Sequence, residues 1–180
     1  AIVSAAQYII LGDTDAAVAG GAESMSRGGY VSTSHRWGAR MGDVSVVDSV
    51  VGCLTDPFDH IHMGVTAENL AESHGISREA QDEFAIESHR RAAAAIDAGR
   101  FDEQIVPTEI KARKETVEVK VDEHVRRDIS AEGLAKLRPA FSKDGTVTAG
   151  NASGVNDAAA AVVVMSAGRA EELGAPVRAR

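Results

Sequence analysis

Two short runs of small apolar residues constrain the fold more than any other feature of this sequence. Asp15-Ala16-Ala17-Val18-Ala19-Gly20-Gly21 lies near one end and Ala158 to Met165 near the other. A continuous apolar run of this length, without alternation, is the pattern of a strand covered on both faces in a parallel sheet. Before the first run, Ile2, Val3, Ala6, Ile9 and Ile10 recur at helical spacing until Gly12-Asp13 supplies a stop, which predicts an amphipathic helix over residues 1 to 11. After the second run comes a short helix, Arg169 to Leu173, that Gly174 ends. Helices feeding buried strands predict α/β layering.

The long stretch between these runs has a different character. Residues 22 to 64 are rich in Gly, Ser, His and Asp, carry the single tryptophan, Trp37, and show no sustained period, so they read as ordered loops. Residues 66 to 74 and 77 to 98 read as helices. Ser77 is a candidate N-cap, and Ala80, Phe84, Ala85, Ser88, Ala92, Ala95 and Ile96 form one stripe before Gly99. Residues 104 to 121 alternate weakly, with Val117, Val119 and Val121 on one side, which predicts an exposed β-ribbon.

Charge limits the partners. The 180 residues carry a formal charge of −8 and only 4% aromatics, which sets nucleic acid aside, because a phosphate-backbone surface needs a surplus of Lys and Arg. The longest apolar run is too short to span a bilayer and no signal-like segment opens the chain, so no membrane partner is expected and the cytoplasm is the default location. Residues 100 to 143 hold 10 of the 19 basic side chains and 9 of the 27 acids, a net of +1 in an otherwise acidic protein. That segment is either a solvated ribbon and helix face or a surface for a small anionic ligand.

Few residues carry chemistry on pattern alone. Thr146-Val147-Thr148-Ala149-Gly150-Asn151-Ala152-Ser153-Gly154-Val155-Asn156-Asp157 leads into the second apolar run. Such small residues let a ligand approach the backbone, and Asn151, Ser153 and Asn156 offer groups for amide-like partners. A tight crossover loop explains the same composition, and the spacing matches neither a Rossmann nor a P-loop fingerprint. His35, His60 and His62 raise a metal, but no carboxylate or cysteine stands at ligand spacing, so no metal is expected. The single cysteine, Cys53, has no Gly-rich elbow or helix N-terminus after it and reads as a small buried thiol.

Four strings in order resolve the ambiguity: Val18-Ala19-Gly20-Gly21-Ala22-Glu23-Ser24-Met25-Ser26, His62-Met63-Gly64-Val65-Thr66-Ala67-Glu68-Asn69, Lys136-Leu137-Arg138-Pro139-Ala140-Phe141, and Thr148 to Asp157. In sequence and spacing they resemble the thiolase family, in its acetyl-CoA acetyltransferase branch, and the resemblance covers essentially the whole chain. It implies part of a layered α/β/α/β/α core, residues 1–24 and 156–180, with a mainly helical coenzyme A-binding loop domain, residues 25–155, inserted. It implies a reversible Claisen condensation of two acetyl-CoA to acetoacetyl-CoA and CoA through an acyl-cysteine. Acetyl-CoA or another acyl-CoA is then substrate, with no permanently bound cofactor, and the parent is a homo-oligomer, a dimer of dimers.

Position by position, Leu54, His62, Met63 and Phe141 match residues lining the pantetheine and acyl end of the thiolase pocket. Arg126 matches one near the CoA nucleotide, and Ala149, Ala152, Ser153 and Gly154 match the loop along which pantetheine runs. The resemblance thereby favours ligand binding by that loop and by the basic segment. Gly133 departs from relatives that place a serine near the adenine. His62 before Met63 resembles short-chain thiolases more than the 3-ketoacyl-CoA thiolases of fatty-acid degradation. No catalytic residue carries over: the nucleophile's Cys-Gly-Ser-Gly-Leu-Gln type motif, the Gly-His-Pro motif, the Asn-Glu-Ala-Phe motif and the second cysteine's Cys-x-Gly-Gly-Gly setting have no match, and Cys53 matches neither family cysteine. Ala1 and the interrupted segment after Pro176 both read as cuts, so the expectation is a stretch of a longer thiolase that supplies CoA-binding surface and is inactive alone. A free-standing CoA-binding module, an oligomerisation element around Trp37 and Met41, and a parent that is a 3-ketoacyl-CoA thiolase of fatty-acid degradation are the alternatives.

Overall fold

The computed structural model describes residues 1–111, 113 and 115–179. Ala112 and Lys114 of the expected ribbon and basic segment, and Arg180 of the expected core segment, lie outside the described residues. The chain divides into two compact units, residues 1–28 with 155–180, and residues 29–154.

The first unit contains α1 (Ile2–Leu11), β1 (Ala16–Ser24), β6 (Asp157–Met165) and α6 (Ala167–Glu172). Helix α1 ends where Gly12 takes φ 81°, a left-handed turn that a β-carbon would resist, and the Gly12 N–H closes onto the Ile9 carbonyl while the Asp13 N–H closes onto that of Tyr8. Strands β1 and β6 pair antiparallel, in register from Ala16↔Met165 to Ser24↔Asp157. The expected parallel arrangement is therefore corrected. A run of Ala and Val sets burial preference and not chain direction, and here the two runs bond to each other. Within the described residues Val18 is 74% exposed and Val163 65%, and Ala19 alone is buried in these strands. Helix α1 packs on the pair, burying Ala5. At the open end, the Asp157 carboxylate accepts bonds from Ser26 N–H at 2.8 Å and from the Ser26 and Ser24 hydroxyls at 2.5 and 3.4 Å.

The second unit contains β2 (Tyr30–Val31), β3 (Val47–Asp48), α2 (Ser49–Cys53), α3 (Met63–His74), α4 (Arg78–Asp97), β4 (Thr108–Lys111), β5 (Thr116–Val119) and α5 (Ala131–Ala135). Ser77 caps α4 by accepting the Ala80 N–H, and Asp48 and Ser130 do the same for α2 and α5, so each side chain satisfies a donor that a helix start leaves open. The ribbon expected over 104 to 121 condenses to the β4–β5 hairpin, paired from Thr108↔Val119 to Lys111↔Thr116. Tyr30 and Val31 pair with Asp48 and Val47, giving the glycine- and serine-rich stretch a small sheet. The core lies around Ala71, Leu134, Val147 and the wholly buried Thr148.

Candidate functional site

The second unit brings four expected residues together at the start of α3. Met63 N–H donates to the Leu54 carbonyl at 2.8 Å, and Thr55 and His62 form an antiparallel bridge, so the end of α2 lies beside the beginning of α3. His62 is the N-cap of α3: its Nδ1 accepts the Gly64 N–H at 3.0 Å. For a neutral ring this leaves the proton on Nε2. The imidazole stacks on Phe141, with centroids 4.8 Å apart and planes at 23°. Gly64 is required here, because a β-carbon would collide with the Phe141 ring. His62 and Phe141 are half-buried and Met63 is 56% exposed, so the cluster is an apolar shelf open to solvent.

The 146–154 loop is held from behind by charge. Glu68 on α3 accepts from the Thr146 and Val147 N–H groups and the Thr146 hydroxyl at 2.8 to 3.0 Å. Burial raises the Glu68 carboxyl, but these bonds outweigh it and hold it below the ordinary value. Asn151 Oδ1 accepts the Thr148 N–H at 2.7 Å, while its Nδ2 donates to Asp82 at 2.9 Å and to the Thr146 carbonyl at 3.1 Å. The reading of Asn151 as a ligand-facing amide is corrected: its donors and acceptor are consumed in shaping the loop. Asp82, buried on α4, also accepts from Arg78 at 2.7 Å, and Arg78 reaches the Leu134 and Leu137 carbonyls. The outcome is a rigid loop that leaves Ala149 and Ser153 exposed and Ala152 and Gly154 half-buried. Among the described residues the Ser153 hydroxyl has no partner.

Arg126 is tied to α4 and has no bond to the shelf or the loop. Its N–H donates to His89 Nδ1 at 3.1 Å, and its side chain is exposed. Burial, then the charges of His124 and Arg126, hold the His89 imidazole below its ordinary value. Gly133 sits in α5, where its N–H donates to Ser130.

The sequence reading did not single out Glu68, Asp82 or Arg78. The available signal was a Thr-rich buried loop whose N–H groups need acceptors, with two carboxylates on the helices beside it. The described residues also form a groove of about 420 Å³ lined by Glu68, Glu72, Ser142, Asp144 and Thr146, whose acidic rim suits no phosphate and which includes none of the expected CoA contacts. The expected burial of the Cys53 thiol is corrected: Cys53 is free and exposed, because it ends the short helix α2 on a turn, Val51 to Cys53, that faces solvent. Among the described residues no three His, Cys, Asp or Glu side chains form a metal-sized group, and no helix is long and apolar enough to cross a membrane.

Comparison with known proteins places this arrangement. Residues 1–168 match the family model described as Thiolase, N-terminal domain. The chain is 61% identical, over all of its length and 46% of the relative's, to beta-ketothiolase BktB of Cupriavidus necator. The crystal structure of the Bacillus anthracis acetyl-CoA acetyltransferase superposes with a TM-score of 0.91 at 54% identity, covering 97% of this chain and 44% of that one. Human mitochondrial 3-ketoacyl-CoA thiolase in complex with CoA superposes with a TM-score of 0.86 at 43% identity, covering 96% and 43%. The chain thus spans less than half the length of these relatives.

Proposed function

Because the chain belongs to the thiolase family, with a partial thiolase fold, we propose that it forms the coenzyme A- and acyl-CoA-binding surface of an acyltransferase that interconverts two acetyl-CoA with acetoacetyl-CoA and CoA. The observation that carries this reading is the shelf of Leu54, His62, Met63 and Phe141, where the His62–Phe141 stack stands against a glycine that admits it. Pantetheine is a narrow chain with two amides. The shelf supplies apolar contact to its thiol end, and the exposed backbone and hydroxyl of Ala149, Ala152, Ser153 and Gly154 supply close approach and one hydrogen-bonding group. Arg126 supplies a cation for the nucleotide phosphates. No permanent cofactor takes part.

The insertion reading places residues 25–155 over the reactive centre and residues 1–24 and 156–180 in the layered core; the compact units divide at nearby positions. The short-chain preference rests on His62 preceding Met63. Assembly of the parent as a dimer of dimers and a cytoplasmic location complete the proposal. The 180 residues contain none of the cysteine or histidine motifs that thiolases use for acyl transfer and enolate formation, so this chain binds and does not turn over.

Calorimetric titration with CoA tests the reading. Measurable heat is expected from the intact chain, with weaker binding by Phe141→Ala, whose fold is checked by circular dichroism. Absence of heat at millimolar CoA overturns the binding surface. Thiolysis of acetoacetyl-CoA above a heat-killed control overturns the non-catalytic assignment.

A further inference from the structure

Helix α4 carries a histidine that neither the motifs nor the proposed CoA contacts account for. His89 Nδ1 accepts the backbone N–H of Arg126, a bond across 37 positions of sequence. The next residue is tied to the same helix, since the Arg127 guanidinium binds the Asp97 carboxylate at 2.8 Å. Two adjacent residues are therefore pinned to α4 at points about two turns apart. Between these pins Arg126 keeps an exposed guanidinium that has no carboxylate partner among the described residues.

A ring nitrogen accepts a hydrogen bond only while it is unprotonated. Protonated His89 would set one donor against another and add positive charge beside Arg126 and beside His124, whose ring lies 5.7 Å away. Those two are the titratable or charged groups that act on His89 from the packed segment. On α4 itself, Arg90 and Arg91 are engaged with Glu87, and Asp97 with Arg127.

We propose that His89 is a positioning residue: neutral, it fixes Arg126 against α4 so that the guanidinium meets a ligand phosphate, and protonated, it releases that segment. The ligand is a nucleotide-type phosphate, so this inference rests on the CoA-binding reading of Arg126. The sign of the effect separates it from simple electrostatics. An extra positive charge near a phosphate would by itself strengthen binding in acid, whereas loss of the Arg126 anchor weakens it.

Two measurements on the whole chain decide the matter. In nuclear magnetic resonance of the labelled protein, the Arg126 amide shift should titrate together with the His89 ring, with a midpoint below 6.5. In His89→Asn, whose Oδ1 can accept the same N–H but does not titrate, the shift should stay flat. An Arg126 amide indifferent to pH between about 5 and 8 overturns the proposal whether or not CoA binds.

Calorimetry with CoA then compares the two proteins at about pH 7.5 and about pH 5.5, the ratio between them cancelling protonation of the phosphate itself. Equal affinities are expected at the higher pH. At the lower, the wild-type chain should fall about fivefold below His89→Asn, the change that one net hydrogen bond commands. His89→Phe, with no acceptor, should bind weakly at both. Identical pH dependence in wild type and His89→Asn overturns the positioning role and leaves the CoA reading standing. No binding by either protein at the higher pH overturns the CoA reading and with it the ligand-presenting role, while the Arg126 shift still reports on the pin.

Discussion

The unit formed by residues 1–28 and 155–180 and the unit formed by residues 29–154 reach order by different means. In the first, two nine-residue strands bond to each other and the buried apolar residues are Ala5, Ala19 and Ala170, all alanines. Burying a methyl group returns only about 0.8 kcal/mol, so this unit leans on its backbone ladder and on the Asp157 clasp across the strand ends. In the second, Leu134 and Val147 are buried next to polar groups that close the loop from two sides: Asn151 links Asp82 to the Thr148 N–H, and Glu68 accepts the Thr146 and Val147 N–H groups. The difference teaches where precision comes from. A ladder between alanine-rich strands fixes a register, whereas a satisfied set of directional bonds fixes the shape of a loop.

Removing the acceptor at the centre of the network tests this contrast most severely. Asp82→Ala leaves Arg78 and the Asn151 amide without their carboxylate and should cost about 2–3 kcal/mol, the figure for a broken buried pair reduced because the guanidinium is partly exposed. Urea unfolding measures it. Hydrogen exchange should then accelerate at Thr148 and Gly150 and leave the β1–β6 amides protected. Equal acceleration in both places would break the distinction between the units.

Gly64→Ala should have the next largest effect, about 1–3 kcal/mol by urea denaturation, because the new methyl group forces Phe141 off its site. Loss of the ring-current shift on His62 would accompany it. If the protein melts as wild type with that shift intact, the shelf is softer than the loop behind it.

The smallest effects are those of acid. Glu68 in one unit and Asp157 in the other are both held below their ordinary values, 4.5 and 3.8, by bonds to the ionised form. For Glu68 burial opposes the shift, and for Asp157 the Ser26 hydroxyl is the leading cause. Their contributions are complete above those ordinary values and are lost as pH falls through the lower native ones. Glu68→Gln should flatten the acid limb of the stability curve for the 29–154 unit, and Asp157→Asn that of the strand pair, as read by amide exchange at Val147 and Ser26. A curve unchanged by either substitution would remove that carboxylate from its unit's account.

The resemblance carried by the four strings led to the family, and local patterns led to the helices. The stop at Gly12, the Ser77 cap and the stripe on α4 are each written within a few residues, and helices answer to such short-range rules. The shelf was legible as a set of residues and not as a geometry. Nothing in the sequence states that His62 spends Nδ1 on the Gly64 amide, or that Phe141 lies over that glycine. The loop was legible as a place open to close approach, yet its Asn151 side chain is internal scaffolding.

What the sequence by itself determined is therefore local and compositional: helix extents and their caps, the hairpin, the apolar character of the two outer runs, and the motif strings that identify the family. Tertiary structure alone decided that the two runs pair antiparallel, that Asn151 and Glu68 shape the loop, and that His89 holds the Arg126 segment. The physical reason is separation along the chain. Periodicity and capping act over one or two turns, whereas strand direction and the partner of a polar atom are settled by groups brought together from distant positions, each competing to satisfy the same donors.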